Sequence, residues 1–342
     1  MRKTARRPLW RSAGVVIVTS VVLAACGGSS SPSGASSNSS AIHIAFFGFA
    51  SDNSFTQAGW AGVQKAAKQY GATAQFFNGN FNGATQDSQM QEAITSKNYN
   101  VFIVEAYDST SIVPYVTQAI AAGITVVAEY SPIGSDYTTD APQIPGELSL
   151  VDVPTHNGDV LAQMTVAACG SLSPCQVAFL VGNPTSPLDV ARTNEVYKDL
   201  GQNSAIDIVA KPVAGYTQAM GSSVAETLLA AHPNVNVIVG SSQAIEGVQT
   251  VLQAKGLLSK IKLVGNGGST QAVQAVQSGK WFGTYFEDEP LNSFTAVQYA
   301  IEKRQGKTVP DAVNSASLGP VGPSLGEGTA ANLQGVSGSY SD

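Results

Sequence analysis

From Ile42 onward, short apolar runs of strand length alternate with longer amphipathic runs of helix length, and this alternation restricts the chain to an α/β fold built on parallel sheets. Strands are predicted at Ile42–Phe47, Thr73–Phe77, Val101–Val104, Thr125–Ala128, Leu148–Val151, Gln176–Val181, Ile206–Val209, Val235–Val239, Lys262–Val264 and Gly283–Phe286. Helices are predicted between and after them, at Phe55–Tyr70, Gln86–Ser96, Ser111–Ala122, Asn157–Ala168, Val190–Leu200, Gln218–Ala231, Ala244–Lys255, Thr270–Ser278 and Asn292–Arg304. Gly71, Gly123, Gly256 and Gly279 each follow a helical run, where a left-handed residue closes the helix, and Asn157 and Thr217 stand where caps are wanted. The βαβαβαβ pattern occurs twice around a less regular stretch, Tyr130–Pro154, and beyond Gly306 the Gly, Pro and Ser content predicts an irregular tail packed over the rest.

The first forty residues are of another kind. MRKTARRPLWR holds five basic residues and no acid, and an apolar run from Ala13 to Ala25 follows, which is the pattern of a secretory signal. That run is shorter than the roughly 20 residues a membrane span requires. It ends in Leu23-Ala24-Ala25-Cys26, which resembles the lipobox of bacterial lipoproteins and implies acylation of Cys26, so residues 1–26 are expected to be a lipoprotein signal peptide. Residues 27–40, GGSSSPSGASSNSS, have no apolar period and read as a flexible linker reaching roughly 20 Å.

With the basic stretch removed, what remains is more acidic than the whole chain's −6, which is the wrong sign for binding nucleic acid. Some 300 residues suit two domains better than one core. Cys169 and Cys175 lie close together in ACGSLSPC, and in an exported chain such a pair most often forms a structural disulfide; a metal site is the alternative, although no His is near. His43, His156 and His232 are scattered and read as structural residues.

In an open parallel sheet the ligand lies beyond the carboxyl ends of the strands. Those positions are Ser51, Asp52, Asn53 and Phe55, then Glu105 and Asp108, then Glu129 and Tyr130. In the second half they are Asn183, Ser186 and Arg192, then Tyr216, Ser241, Ser242, Asn266, Glu287, Asp288 and Glu289. The set is polar, acidic and aromatic, and it suits a small hydroxyl-rich molecule whose hydroxyls meet carboxylates and amides while its C–H faces meet rings. Any single member also reads as a cap or turn former: Asp52 or Asn53 caps a helix, and Asn266-Gly267-Gly268 is a turn. Glutamate at three strand ends, in Val104-Glu105, Ala128-Glu129 and Phe286-Glu287, is not explained that way, because three such carboxylates repel one another unless something occupies the space between them. Gly48 ends its strand, and Trp60, further along the helix, is assigned to packing.

Together the lipobox, the Ser-rich tether and the two βα repeats are similar to the type I solute-binding proteins of ABC importers, in their ribose-like sugar-binding branch. The resemblance spans nearly all of residues 41–312 and rests on DNSFTQAGWAGVQKAAKQYG, VFIVEAYDS, AIAAGITVVAEY, NPTSPLDVARTNEVYKDL, AETLLAAHPNVNVIVGSS and LVGNGGSTQAVQAVQSGKWFGTYFEDEP, in that order. It implies two Rossmann-like lobes joined by a multi-crossing hinge: residues 41–152 plus 288–312 as the first lobe, and 153–287 plus part of the 313–342 tail as the second. Hinge crossings are expected near Val151–Asn157, near Asn266–Gly268 or Glu287–Pro290, and before the tail. Carried over by position, it implies a ligand set of Asn53, Phe55, Glu105, Glu129, Tyr130, Arg192, Tyr216, Ser241, Asn266 and Glu287.

The chain departs from that branch where Glu129-Tyr130 replaces an Asp-Arg pair, where Ser241 stands for Asn, and where Asn266 or Gly267 stands for Asp, so the ligand need be neither ribose nor galactose. Arg192, a fixed multiple donor, favours an oxygen-rich solute, a sugar or polyol, over an amine or other cation. No enzyme motif such as G-x-S-x-G, H-E-x-x-H, a P-loop or a strand-end G-x-G-x-x-G is present, and the implied function is capture and delivery rather than catalysis. A sensor of the same fold is the other reading. Expected partners are a small solute, permease subunits and the membrane through the lipid anchor, with no nucleic acid, no cofactor and no metal. The chain is expected to act as a monomer on the outer face of the cell membrane or in the periplasm.

Overall fold

The apolar runs assemble into two sheets in a computed structural model that describes residues 41–342; the expected signal peptide, the lipidation candidate Cys26 and the linker lie outside the described residues. The first body is formed by β1 (His43–Gly48), α1 (Ser54–Tyr70), β2 (Thr73–Asn78), α2 (Gly83–Ser96), β3 (Val101–Val104), α3 (Val113–Ala121), β4 (Thr125–Tyr130) and β5 (Leu148–Val151). The chain then builds the second body from α4 (Pro154–Cys169), β6 (Cys175–Phe179), α5 (Pro187–Gly201), β7 (Ile206–Ala210), α6 (Gln218–Ala231) and β8 (Val237–Ser241), followed by α7 (Ser242–Ala254), β9 (Lys262–Asn266), α8 (Thr270–Gln277) and β10 (Gly283–Tyr285). It returns to the first with α9 (Glu289–Arg304) and β11 (Ala312–Asn314), and ends in the second with β12 (Glu327–Thr329). The sheet orders are β11-β5-β4-β3-β1-β2 and β12-β10-β9-β8-β6-β7. All pairings are parallel except β10 with β12. In each sheet the order reverses beside the first strand, between β1 and β3 and between β6 and β8, which is where an open sheet leaves a crevice.

Period-two packing explains β1. Phe46 faces one layer, against Trp60 (5.9 Å, stacked) and Phe76, and Phe47 faces the other, against Phe77 (4.9 Å) and Phe102 (5.0 Å). Trp60 is thus a packing residue. Burying one such ring contributes about 1.5–3 kcal/mol, and Phe46, Phe47 and Phe102 are all fully buried. On the Phe46 side, α1 and α9 touch so closely that a Cβ on Gly62 would sit 2.2 Å from the Pro290 carbonyl oxygen.

Several expected boundaries move. Helices α4, α5 and α9 begin earlier than predicted because a proline stands in the first turn, where its missing N–H is not needed: Pro154, Pro187 and Pro290. Asn157 therefore lies inside α4, fully buried, and donates to Asp152 Oδ2 at 2.7 Å instead of capping. Thr217 does cap, accepting from the Met220 N–H, and Asn53 caps α1 by accepting from the Thr56 N–H at 3.0 Å. The tail is not wholly irregular, since β11 and β12 each extend a sheet edge; three-residue strands are too short for an alternation to show in sequence.

The chain passes between the bodies at Asp152–Val153, at Phe286–Asp288 and after Asn314. Two hydrogen bonds tie these passages together. Tyr285 Oη donates to Asp152 Oδ1 at 2.8 Å, and Ser315 Oγ donates to Glu287 Oε1. The Asn266–Gly268 stretch is not a passage: it joins β9 to α8 within the second body, and the Gly267 N–H donates to the Tyr285 carbonyl. Cys169 and Cys175 are disulfide-bonded, linking the end of α4 to the start of β6 at the edge of the sheet away from the carboxyl ends.

Candidate functional site

A cavity of about 70 Å³ lies between the carboxyl ends of the two sheets, several times the roughly 10–15 Å³ that one water occupies by this measure. From the first body it is lined by Phe49, Asn53, Phe55, Phe81, Tyr107 and Tyr130. Asn183, Ser186, Leu188, Asp189, Arg192, Tyr216, Gln243, Asn266 and Gly267 line it from the second, with Tyr285 and Glu287 near a passage between the bodies and Tyr340 from the tail.

The first body supplies mostly rings. Phe55 sits at the second position of α1, next to the Asn53 cap, and its centroid lies 4.6 Å from that of Tyr130. Tyr130 ends β4 in the left-handed region (φ 57°), which turns its ring out of the pleat, and Phe81 is left-handed as well (φ 50°). For a residue with a Cβ this conformation costs roughly 1–2 kcal/mol, and strain of this kind collects where surrounding structure holds a side chain for a task. Phe81 then stacks at 12° to Tyr216 of the second body.

The second body supplies the fixed polar groups. At the start of α5, Asp189 and Arg192 share one helix face and lie 3.6 Å apart. Asp189 accepts from the Asn183 N–H at 2.7 Å and from Tyr216 Oη. Arg192 is buried, its Nη2 donates to Tyr130 Oη at 3.2 Å, and its Nε has no partner among the described residues. Burial works against its charge, but the surrounding Tyr130, Asp189, Tyr216 and Asp152 outweigh burial and hold it above its ordinary range. Burial first, then Asp152, pushes Glu287 well above the carboxylate range. The cleft therefore offers one cation already matched to a carboxylate, a set of amide and hydroxyl groups, and eight rings.

Of the ten residues expected to bind, Asn53, Phe55, Tyr130, Arg192, Tyr216, Asn266 and Glu287 meet around this cavity; Glu105, Glu129 and Ser241 do not line it. Ser241 Oγ is consumed locally, accepting from the Ala244 N–H and donating to the Gly215 carbonyl at 2.9 Å, as the cap of α7. Glu105 and Glu129 point into the first body, where they meet Glu289 rather than Glu287, one oxygen of each lying within 4.8 Å of the others. Three oxygens at that spacing could hold a divalent cation. Protonation relieves the same repulsion without one. Burial pushes Glu105 up to about 7, even though its Oε2 accepts from the Phe49 N–H (2.9 Å) and Thr56 Oγ1 (3.1 Å). Burial and then the neighbouring carboxylates push Glu129 and Glu289 well above their usual range.

Several lining residues lie outside the ten that the resemblance implies. Asn183 and Ser186 are strand-end positions outside that set, while Phe49 follows β1 directly and Phe81 stands three residues past β2. Asp189 was legible as the residue one turn before Arg192. Tyr107, Gln243 and Tyr285 had only position to mark them, and Tyr340, more than fifty residues past the last β10 residue, had no signal at all.

A family described as "Periplasmic binding protein domain" matches residues 44–308. No curated protein matches the chain in sequence. Among solved structures it is similar to a periplasmic solute-binding protein of an ABC transporter from Actinobacillus succinogenes, solved with bound D-allose, at 20% identity and a TM-score of 0.72 over 86% of this chain and 99% of that one. It is also similar to a solute-binding protein from Mycobacterium smegmatis with bound glycerol, at 21% identity and a TM-score of 0.71 over 88% of this chain and 99% of that one. A solute-binding protein from Bacillus halodurans with bound myo-inositol aligns at 19% identity and a TM-score of 0.70, over 86% of this chain and 96% of that one. Likeness at this level of identity establishes the fold.

Proposed function

The chain belongs to the periplasmic binding protein domain family, and from that premise we propose that it captures a small sugar or polyol between its two bodies and hands it to the permease of an ABC importer. The observation that carries this reading is the meeting of Arg192 and Tyr130 across the cleft, within a wall of rings and fixed hydrogen-bonding groups. A ligand held by both bodies stabilises their closed arrangement, because opening breaks its contacts with one of them. Rings cover C–H faces, while Asn53, Asn183, Gln243 and Asn266 can each donate to and accept from hydroxyls. The allose, glycerol and myo-inositol bound to the structural neighbours are of the same chemical class.

An amine is the second reading, favoured by the eight rings, whose faces attract cations. The buried positive charge of Arg192 in the same wall opposes it. The chain acts as a monomer outside the cytoplasm, tethered through Cys26, binding without catalysis and with Asn53, Phe55, Tyr130, Arg192, Tyr216, Asn266 and Glu287 as its contacts. A thermal-shift screen of residues 41–342 against sugars, polyols and amines tests this. A ligand at ~100 times its Kd adds about 2.7 kcal/mol of stability, and a response confined to amines overturns the sugar reading.

A further inference from the structure

We propose that residues 338–342 form part of the binding site, with Tyr340 as a ligand contact and Asp342 as a clasp across the mouth of the cleft. The proposal rests on the cavity taking a hydroxyl-rich solute. The segment is seated on the second body. The Thr270 N–H and Oγ1 donate to the Tyr340 carbonyl at 2.7 and 2.8 Å, the Ser339 N–H donates to the Gly268 carbonyl at 3.1 Å, and the Asp342 N–H donates to Gln271 Oε1 at 3.2 Å. Gly338 packs against Thr270 so tightly that a Cβ would lie 2.3 Å from its backbone nitrogen, so the segment's path is fixed there.

This seating delivers two side chains to the opposite body. The Tyr340 ring lies edge-on to Phe55, with centroids 6.1 Å apart, and forms part of the cavity wall. Its hydroxyl is buried and meets no partner in hydrogen-bonding geometry among the described residues, the nearby Ser242 Oγ being given to Asp342. A buried hydroxyl without a partner is unfavourable, and a solute hydroxyl in the cavity would remove that penalty. Asp342 divides its carboxylate between the bodies: Oδ1 accepts from Ser54 Oγ in α1 at 2.7 Å, and Oδ2 from Ser242 Oγ in α7 at 2.9 Å. Gln243 Nε2 donates to the same Ser54 Oγ at 3.1 Å. Because the segment is bonded to the second body, separating the bodies breaks the Ser54–Asp342 bond.

The test has a ligand-free and a ligand-bound arm on residues 41–342. In small-angle scattering without ligand, Asp342→Ala increases the radius of gyration relative to the parent, and Ser54→Ala, which leaves the segment intact, does the same. Unchanged radii in both variants overturn the clasp. In titrations with myo-inositol, D-allose and glycerol, Tyr340→Phe, which keeps the packing on Phe55, weakens whichever of them binds by about tenfold. Equal affinity overturns the contact. A screen response confined to amines removes the sugar reading, equal affinity of Tyr340→Phe for a bound sugar or polyol removes the contact alone, and scattering decides the clasp by itself.

Discussion

Arg192 Nη2 lies 3.2 Å from Tyr130 Oη, and the two side chains come from opposite bodies of the fold. The bond requires the two bodies to approach at this point, so a change to either partner is expected to affect that approach. Arg192→Ala also leaves Asp189 buried beside Tyr216 without its cation. Losing one partner of a buried pair costs about 3–5 kcal/mol. Ligand binding in calorimetry should fall by about a hundredfold or more, and the melting temperature should drop. Arg192→Lys should rescue stability better than binding, since a lysine keeps the charge and loses the planar fork. Full binding by an Arg192→Lys protein of restored stability would tie Arg192 to stability alone.

Gly62→Ala should destabilise the protein, because the added Cβ meets the Pro290 backbone, which cannot swing away. Overpacking of this kind costs about 1–3 kcal/mol. Chemical denaturation measures it, and an unchanged midpoint would show that α1 and α9 can slide apart freely.

Stability should decline as pH rises from about 5 to 8. Burial pushes Glu105 up to about 7 and Glu147 and Glu246 up to about 8, and burial, then neighbouring carboxylates, push Glu129 and Glu289 well above the carboxylate range. An acid with a raised folded pKa binds more protons folded than unfolded between about pH 4.3 and that value. Its contribution is complete below the lower limit and lost as pH rises through the upper one. Melting temperature against pH should show this slope, and Glu129→Gln should raise the midpoint more at pH 8 than at pH 5. A Glu129→Gln variant equally shifted at both values would mean that the cluster does not titrate.

Reducing the Cys169–Cys175 bond, or replacing both residues by Ser, should cost about 2 kcal/mol, the chain-entropy value for so short a loop. Solute affinity should stay within about twofold of the parent by the near-additivity of distant sites. The bond joins the end of α4 to the start of β6, away from the carboxyl ends where the cavity lies. A large loss of affinity on reduction would show that α4 transmits strain to the cleft.

Seven of the ten ligand candidates converge on the cavity because a parallel sheet sends every strand's end to one edge, which a linear pattern can specify. Glu105 and Glu129 do not line the cavity because a strand end has two faces. Glu129 points inward and its neighbour Tyr130, turned by a left-handed φ of 57°, points to the cleft. Periodicity gives no sign of which of two adjacent polar residues will take which direction.

Local spacing and residue type specify the parallel class, the strands that become β1–β10, the cap at Thr217, a cap at Asp52 or Asn53, and the strand-end edge where the cavity lies, because each depends on neighbours in the chain. Packing between distant segments settles that Glu289 rather than Glu287 joins Glu105 and Glu129, that Asp189 and Tyr216 brace Arg192, and that Tyr340 and Asp342 reach the cleft from the tail. These are contacts between residues tens to hundreds of positions apart. They arise from how two bodies and a short tail segment pack, and packing at that range leaves no periodic trace in the chain.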